Sequence, residues 1–91
     1  MLDITDLKEW LEEYDFKTNI YNDNYLLVKP QHRDYEHIEI KRKKNNIIIS
    51  LPLEKSIYQF KTIFNENDNL SIYKYLDTHL IDPISYKFNI L

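Results

Sequence analysis

The chain has 91 residues, of which 43% are hydrophobic and 30% charged, and its formal net charge at pH 7 is −3. This composition excludes an intrinsically disordered chain, and the length predicts one compact domain, residues 1–91. Because cysteine and glycine are both absent, disulfides, thiolate metal sites and glycine-rich phosphate-binding loops are excluded.

The sequence also argues against a membrane-spanning helix and a secretion signal. No apolar stretch approaches the roughly 20 residues of a membrane-spanning helix. Residues 1–10 are acidic and amphipathic, whereas a secretion signal is basic and then uniformly apolar. We therefore expect a cytoplasmic protein without a membrane partner.

The N-terminal half predicts one helix and four strands. Apolar residues recur at helical spacing over residues 4–14, and Asp3 precedes them as an N-cap. The stretches "DFKTNIYNDNYLLVKP" and "HIEIKRKKNNIIISLP" each predict a β-hairpin, with turns at 22–24 and 45–46. In the absence of glycine, we expect asparagine and aspartate to adopt the positive φ angles that tight turns need.

The C-terminal half predicts two helices and a strand. Residues 53–66 are ambiguous, and the helical spacing of Leu53, Ile57, Phe60 and Phe64 favours a helix. A second helix over 69–81 can be capped by Asp68 or Ser71, and clean alternation over 84–90 predicts a final strand. The predicted fold class is α+β: an N-terminal helix, two hairpins in a mainly antiparallel sheet, two further helices on one face, and a C-terminal strand.

A basic segment interrupts this acidic chain. Residues 29–46 contain six bases and three acids, whereas residues 1–28 contain two bases and seven acids. A basic hairpin can neutralise phosphates, so nucleic-acid binding through residues 41–44 is one hypothesis. Lysines at a hairpin tip also keep a turn solvated and an edge strand free of aggregation, which leaves a second explanation open. The candidate nucleic-acid-binding residues are Lys29, Arg33, Lys41, Arg42, Lys43 and Lys44.

One short pattern carries possible catalytic chemistry. Strand alternation places Glu39 and Lys41 on one face, and Glu39-Ile40-Lys41 resembles the (D/E)-x-K element of the PD-(D/E)XK nuclease family. The resemblance implies that Asp23 and Glu39 hold Mg²⁺ and that Lys41 positions the attacking water. The chain departs from the family pattern because it has no Pro-Asp pair. Apart from this alternative, we expect no metal or cofactor.

Aromatic residues are more numerous than a small core needs, with eight tyrosines, four phenylalanines and one tryptophan. Exposed tyrosine is an effective interface anchor, so the surplus favours binding to another protein. The tyrosines that lie off the main apolar stripes are Tyr21, Tyr25, Tyr35, Tyr58 and Tyr73.

The function expected from the sequence is therefore non-enzymatic protein binding. Small glycine-free domains rich in Asn, Ile, Tyr and Lys resemble phage or mobile-element accessory proteins, so we expect an inhibitor or regulator of a host or defence protein. Nucleic-acid binding is the first alternative and a degenerate nuclease the second. A homodimer through the sheet or the C-terminal strand is a further use for the tyrosines.

Overall fold

A computed structural model describes residues 1–30, 37–52 and 59–81 of the chain. Five strands form one antiparallel sheet in which the spatial order follows the chain order, and a helix lies on each side of them in sequence. The fold is therefore α+β, as predicted. The elements are α1 (Ile4–Glu12), β1 (Phe16–Asn22), β2 (Tyr25–Pro30), β3 (Ile38–Lys43), β4 (Asn46–Pro52), β5 (Gln59–Asn65), α2 (Asn69–Leu76) and a π-helical turn (Asp77–Ile81).

Helix α1 forms where the sequence predicted it and for the predicted reason. The Asp3 side chain accepts hydrogen bonds from the backbone N–H groups of Thr5 at 2.8 Å and Asp6 at 3.4 Å, which satisfies two of the free donors at the helix start. The helix ends at Glu12, two residues earlier than predicted. Asp15 takes a φ of 66° just beyond it and so turns the chain into β1.

Both predicted hairpins are confirmed. In the first turn, the Asn22 side chain accepts a hydrogen bond from the Asn24 N–H at 2.8 Å, the local bond that favours asparagine in turns. In the second turn the positive φ falls on Lys44, at 57°, and not on Asn45. The expectation that asparagine or aspartate would adopt positive φ in the hairpin turns is therefore wrong: none does so at 22–24, and a lysine does so in the second turn. Among the described residues an aspartate takes this conformation at Asp15, outside the hairpins.

The predicted helix over 53–66 is wrong where the structure describes it. Residues Gln59–Asn65 form β5, which pairs with β4 from Pro52↔Gln59 to Asn46↔Asn65. The edge of β4 offers backbone hydrogen bonds along its whole length, and this pairing overrides the helical spacing of the phenylalanines. Residues 53–58 lie outside the described residues.

Helix α2 confirms the predicted helix that begins near residue 69. The Asp68 side chain caps it by accepting from the Ser71 N–H at 3.2 Å, and Ile72 and Leu76 are buried. The chain continues into the π-helical turn, which buries Leu80 and Ile81. One helix therefore follows the hairpins in the described residues, where two were predicted, and the predicted strand over 84–90 lies outside them.

The core lies between the two helices and one face of the sheet. Apolar residues from both helices, the π-helical turn and strands β1 to β4 form one buried cluster there. None of the helices described is long and apolar enough to span a membrane. The sheet residues of this cluster are Phe16, Leu26, Val28, Ile38, Ile40, Ile47 and Ile49.

Candidate functional site

The candidate site is the second face of the sheet, which we call the open face. Both described helices pack on the opposite face, so side chains that alternate with the core residues point away from the helices. The described residues of the open face are Lys17, Asn19, Tyr21, Tyr25, Leu27, Lys29, Glu39, Lys41, Lys43, Asn46, Ile48, Ser50, Lys61, Ile63 and Asn65.

An apolar row crosses this face from one edge strand to the other. The register aligns Tyr25, Lys41, Ile48 and Ile63 on β2, β3, β4 and β5. The Tyr21 ring on β1 meets the Tyr25 ring edge-on, with centroids 5.2 Å apart. Exposure is greatest at the two ends, where Tyr21 is 64% and Ile63 is 63% exposed. We call Tyr21, Tyr25, Ile48 and Ile63 the apolar row.

Lys41 joins this row to the charged part of the face. Its Nζ lies 3.2 Å from Glu39 Oε2 and 5.0 Å from the centroid of the Tyr25 ring, a distance at which a cation is attracted to an aromatic face. Burial raises the pKa of the Tyr25 hydroxyl, and the Glu39 carboxylate, which accepts its hydrogen bond, raises the pKa further. The three side chains therefore hold one another in place on the face.

The charge of the open face is opposite to that of the whole chain. Its described residues include five lysines and one acid, Glu39, although the chain carries a net charge of −3. Acidic residues are instead concentrated on α1 and its ends, on the other side of the sheet. The molecule thus has a basic and an acidic side. The five lysines are Lys17, Lys29, Lys41, Lys43 and Lys61.

The candidate nucleic-acid-binding residues do not all lie on one face of the sheet. Lys29, Lys41 and Lys43 lie on the open face, and Lys44 lies in the turn between β3 and β4. Arg42 lies on the helix-covered face, and Arg33 is outside the described residues.

Arg42 is turned into the protein and not toward a ligand. Its guanidinium donates to the carbonyl oxygens of Asp23, at 3.3 Å, and of Leu2, and its Nε lies 3.5 Å from Glu66 Oε2. Strand alternation carries the signal for this placement, because Arg42 follows Ile38 and Ile40 at a spacing of two.

The three catalytic candidates do not meet at one point. Glu39 and Lys41 are neighbours on the open face, whereas Asp23 lies in the turn between β1 and β2. Asp23 borders a groove of about 400 Å³ on the helix-covered side, together with Arg42 and the start of α1. Within residues 1–30, 37–52 and 59–81 there is no group of three acidic or histidine side chains placed to hold a metal.

The candidate interface tyrosines also lie in different parts of the structure. Tyr21 and Tyr25 lie on the open face, whereas Tyr73 lies on α2 with its ring 4.7 Å from the Trp10 ring. Burial raises the pKa of the Tyr73 hydroxyl, and Asp6 and Asp3 raise it further, which is consistent with a structural position between the helices. Tyr35 and Tyr58 lie outside the described residues.

The lysines and isoleucines of the open face that the sequence did not single out are Lys17, Ile48, Lys61 and Ile63. The alternation in β1 and β4 carried a signal for the first two, because Lys17 alternates with Phe16 and Ile48 stands between two buried isoleucines. The other two belong to β5, which was predicted as a helix.

Comparisons with known proteins leave the geometry of the open face as the main guide to function. No protein-family model matches the chain, and neither a curated protein nor a solved structure is similar to it.

Proposed function

We propose that the protein is a non-enzymatic protein-binding module that docks its partner on the open face of the sheet. The observation that carries this proposal is the apolar row, which stands among lysines and ends in two strongly exposed side chains, Tyr21 and Ile63. Protein interfaces commonly combine apolar or aromatic anchors with a polar rim.

The physical support is the free energy available from covering these anchors. Burying one Ile side chain fully contributes about 1.5–3 kcal/mol relative to leaving it exposed. Ile63 retains 63% of its exposure in the free protein, so much of that contribution is available to a partner. The antiparallel sheet holds the anchors in place beforehand, which reduces the entropy lost on binding.

The proposed role is that of a small inhibitor or regulator. Such a protein acts by occupying a surface of its target, and a sheet face with fixed anchors is sufficient for that task. The composition described above supports an accessory protein of phages or mobile elements, with a host or defence protein as its target.

A capture experiment with two matched variants tests the proposal. Ile63 and Phe60 lie on the same edge strand, are 63% and 58% exposed, and point to opposite faces. The wild-type protein is immobilised and incubated with an extract of the cells that encode it or host it. We expect it to retain a partner protein that Ile63→Asp does not retain and that Phe60→Asp still retains. If Ile63→Asp retains the same protein as the wild type, the open face is not the docking site.

Nucleic-acid binding is the second candidate, and the excess of lysine on the open face is the observation that favours it. Phosphate contacts by lysine make binding fall steeply as salt rises. A gel-shift assay with labelled DNA and RNA, using the wild-type protein and Ile63→Ala, separates this candidate from protein binding. If lysines bind phosphate on this face, we expect both proteins to shift the nucleic acid and both shifts to disappear as salt rises.

A further inference from the structure

We infer that the partner segment received by the open face is an acidic protein segment that also carries aliphatic or aromatic side chains. This inference rests on the proposed protein-binding function and specifies its ligand. Two features of the same face support it: an apolar row that needs apolar side chains, and an excess of lysine that needs carboxylates.

The charge of the open face favours an acidic partner. Lys17, Lys43 and Lys61 are all exposed on the open face, and they lie on three different strands, β1, β3 and β5. Glu39 is the single acid among the described residues of this face, and it already contacts Lys41. A partner with carboxylates opposite the lysines would be attracted at long range, and a basic partner would be repelled.

The geometry of the aromatic rings makes the open face a poor stacking surface for bases. Single-stranded nucleic acid binds sheets by stacking on the flat faces of aromatic rings. Here the Tyr21 and Tyr25 rings meet at 80°, and Lys41 Nζ lies over the Tyr25 ring. The rest of the apolar row is isoleucine, which offers no ring. The row is therefore better matched to the side chains of a protein than to bases.

A second copy of the chain is a poor match to the open face. A two-fold symmetric dimer places the same patch on both subunits, so contact would join two faces whose described residues each include five lysines and one acid. That arrangement is electrostatically unfavourable at moderate salt. A different protein with an acidic surface is a better match to this face.

A peptide-display selection tests the inference even while the natural partner is unidentified. The full-length protein is used to select from a phage-displayed library of random linear peptides, with Ile63→Asp as the counter-selection bait. We expect the enriched peptides to combine Asp or Glu with Leu, Ile, Phe or Trp. A synthetic copy of one enriched peptide is then labelled and titrated with the protein by fluorescence anisotropy.

The affinity measured in this titration is expected to depend on both the apolar row and the lysines of the open face. Ile63→Ala, which removes the apolar side chain without adding charge, and Lys61→Glu should each weaken binding by about tenfold or more, as the loss of an interface anchor or a close charge pair does. Lys74→Glu, an exposed lysine on α2, is the matched control and should leave affinity within about twofold. Circular dichroism of each variant checks that the fold is retained.

Several results would overturn the inference. It is overturned if the selection enriches no peptides or enriches peptides without acidic residues. It is also overturned if the affinity for the peptide changes neither with salt nor in Lys61→Glu. Displacement of the peptide by oligothymidylate at equal concentration would assign the face to nucleic acid instead. The inference and the proposed function can fail separately. If cellular capture depends on Ile63 but not on Lys61 or salt, the docking face stands and only its acidic ligand is wrong. If capture does not depend on Ile63, the proposed function itself is wrong.

Discussion

Replacement of Arg42 by methionine tests whether this residue belongs to the basic surface or to the internal structure. Methionine keeps an unbranched aliphatic stem but removes the charge and all hydrogen-bond donors. The Arg42 side chain is 13% exposed, and the side chain of Glu66, its ion-pair partner, is 14% exposed. Leu2, whose carbonyl accepts from Arg42, also donates its N–H to the Glu66 carbonyl at 2.8 Å, so Arg42 links the starts of both helices to β3.

The expected loss follows from these contacts. Removing one partner of a buried ion pair costs about 3–5 kcal/mol because the other charge is left without compensation. The separation of 3.5 Å between Nε and Glu66 Oε2 is long for a charge-assisted bond, so we expect the lower end, about 3 kcal/mol. For a domain of this size the unfolding temperature would fall by roughly 12–24 °C.

Urea unfolding followed by Trp10 fluorescence measures this loss, since Trp10 is the single tryptophan and packs against the Tyr14 and Tyr73 rings. Lys43→Met, on the exposed side of the same strand, is the control and should change the free energy of unfolding by about 0.5 kcal/mol or less. The double variant Arg42→Met with Glu66→Leu should regain most of the loss, because no uncompensated charge remains. An Arg42→Met loss as small as that of Lys43→Met would refute the internal assignment.

Three further predictions concern the core, a turn and the open face. Ile49→Ala should lower the free energy of unfolding by about 2–5 kcal/mol in urea titrations, because Ile49 is fully buried at the centre of the sheet. Lys44→Gly should raise it by about 0.5–1 kcal/mol in the same assay, since glycine adopts the positive φ of this position without strain; a loss of stability would contradict this. Glu39→Gln should lower the pKa of the Tyr25 hydroxyl, measured by NMR against a Tyr25→Phe control, because it removes a carboxylate that raises it. Because the Tyr25 pKa is raised in the folded state, its contribution to stability is fully present below the ordinary tyrosine value near 10. This contribution is lost as pH rises through the folded pKa. The free energy of unfolding of Glu39→Gln should therefore fall less over this pH range than that of the wild-type protein.

Local signals predicted most of the elements because each depends on residues close together in the chain. Asp3 and Asp68 cap their helices through backbone groups two or three residues away. The observed turns, at 23–24 and 44–45, lie within one residue of the predicted ones and connect strands that are adjacent both in sequence and in space. Such features need no information about distant parts of the molecule.

The prediction failed where a distant strand decides the conformation. Residues 59–65 carry phenylalanines at a spacing that suits a helix, and their strand conformation depends on the hydrogen bonds offered by the edge of β4. Lys44 is a similar case: the register of β3 and β4 places the positive φ angle on a lysine although asparagine follows it. Both outcomes follow from pairing across the sheet.

Sequence patterns were sufficient to predict the α+β class, the two capped helices and the two hairpins, and they located an excess of basic residues in the middle of an acidic chain. Which of those residues share a surface depends on the folded sheet. Alternation and register turn Arg42 toward the helices and place Lys17, Lys43 and Lys61 on the same face as Ile48 and Ile63. This is because a sheet face is assembled from residues on several strands, whose neighbours are set by cross-strand pairing and not by sequence distance.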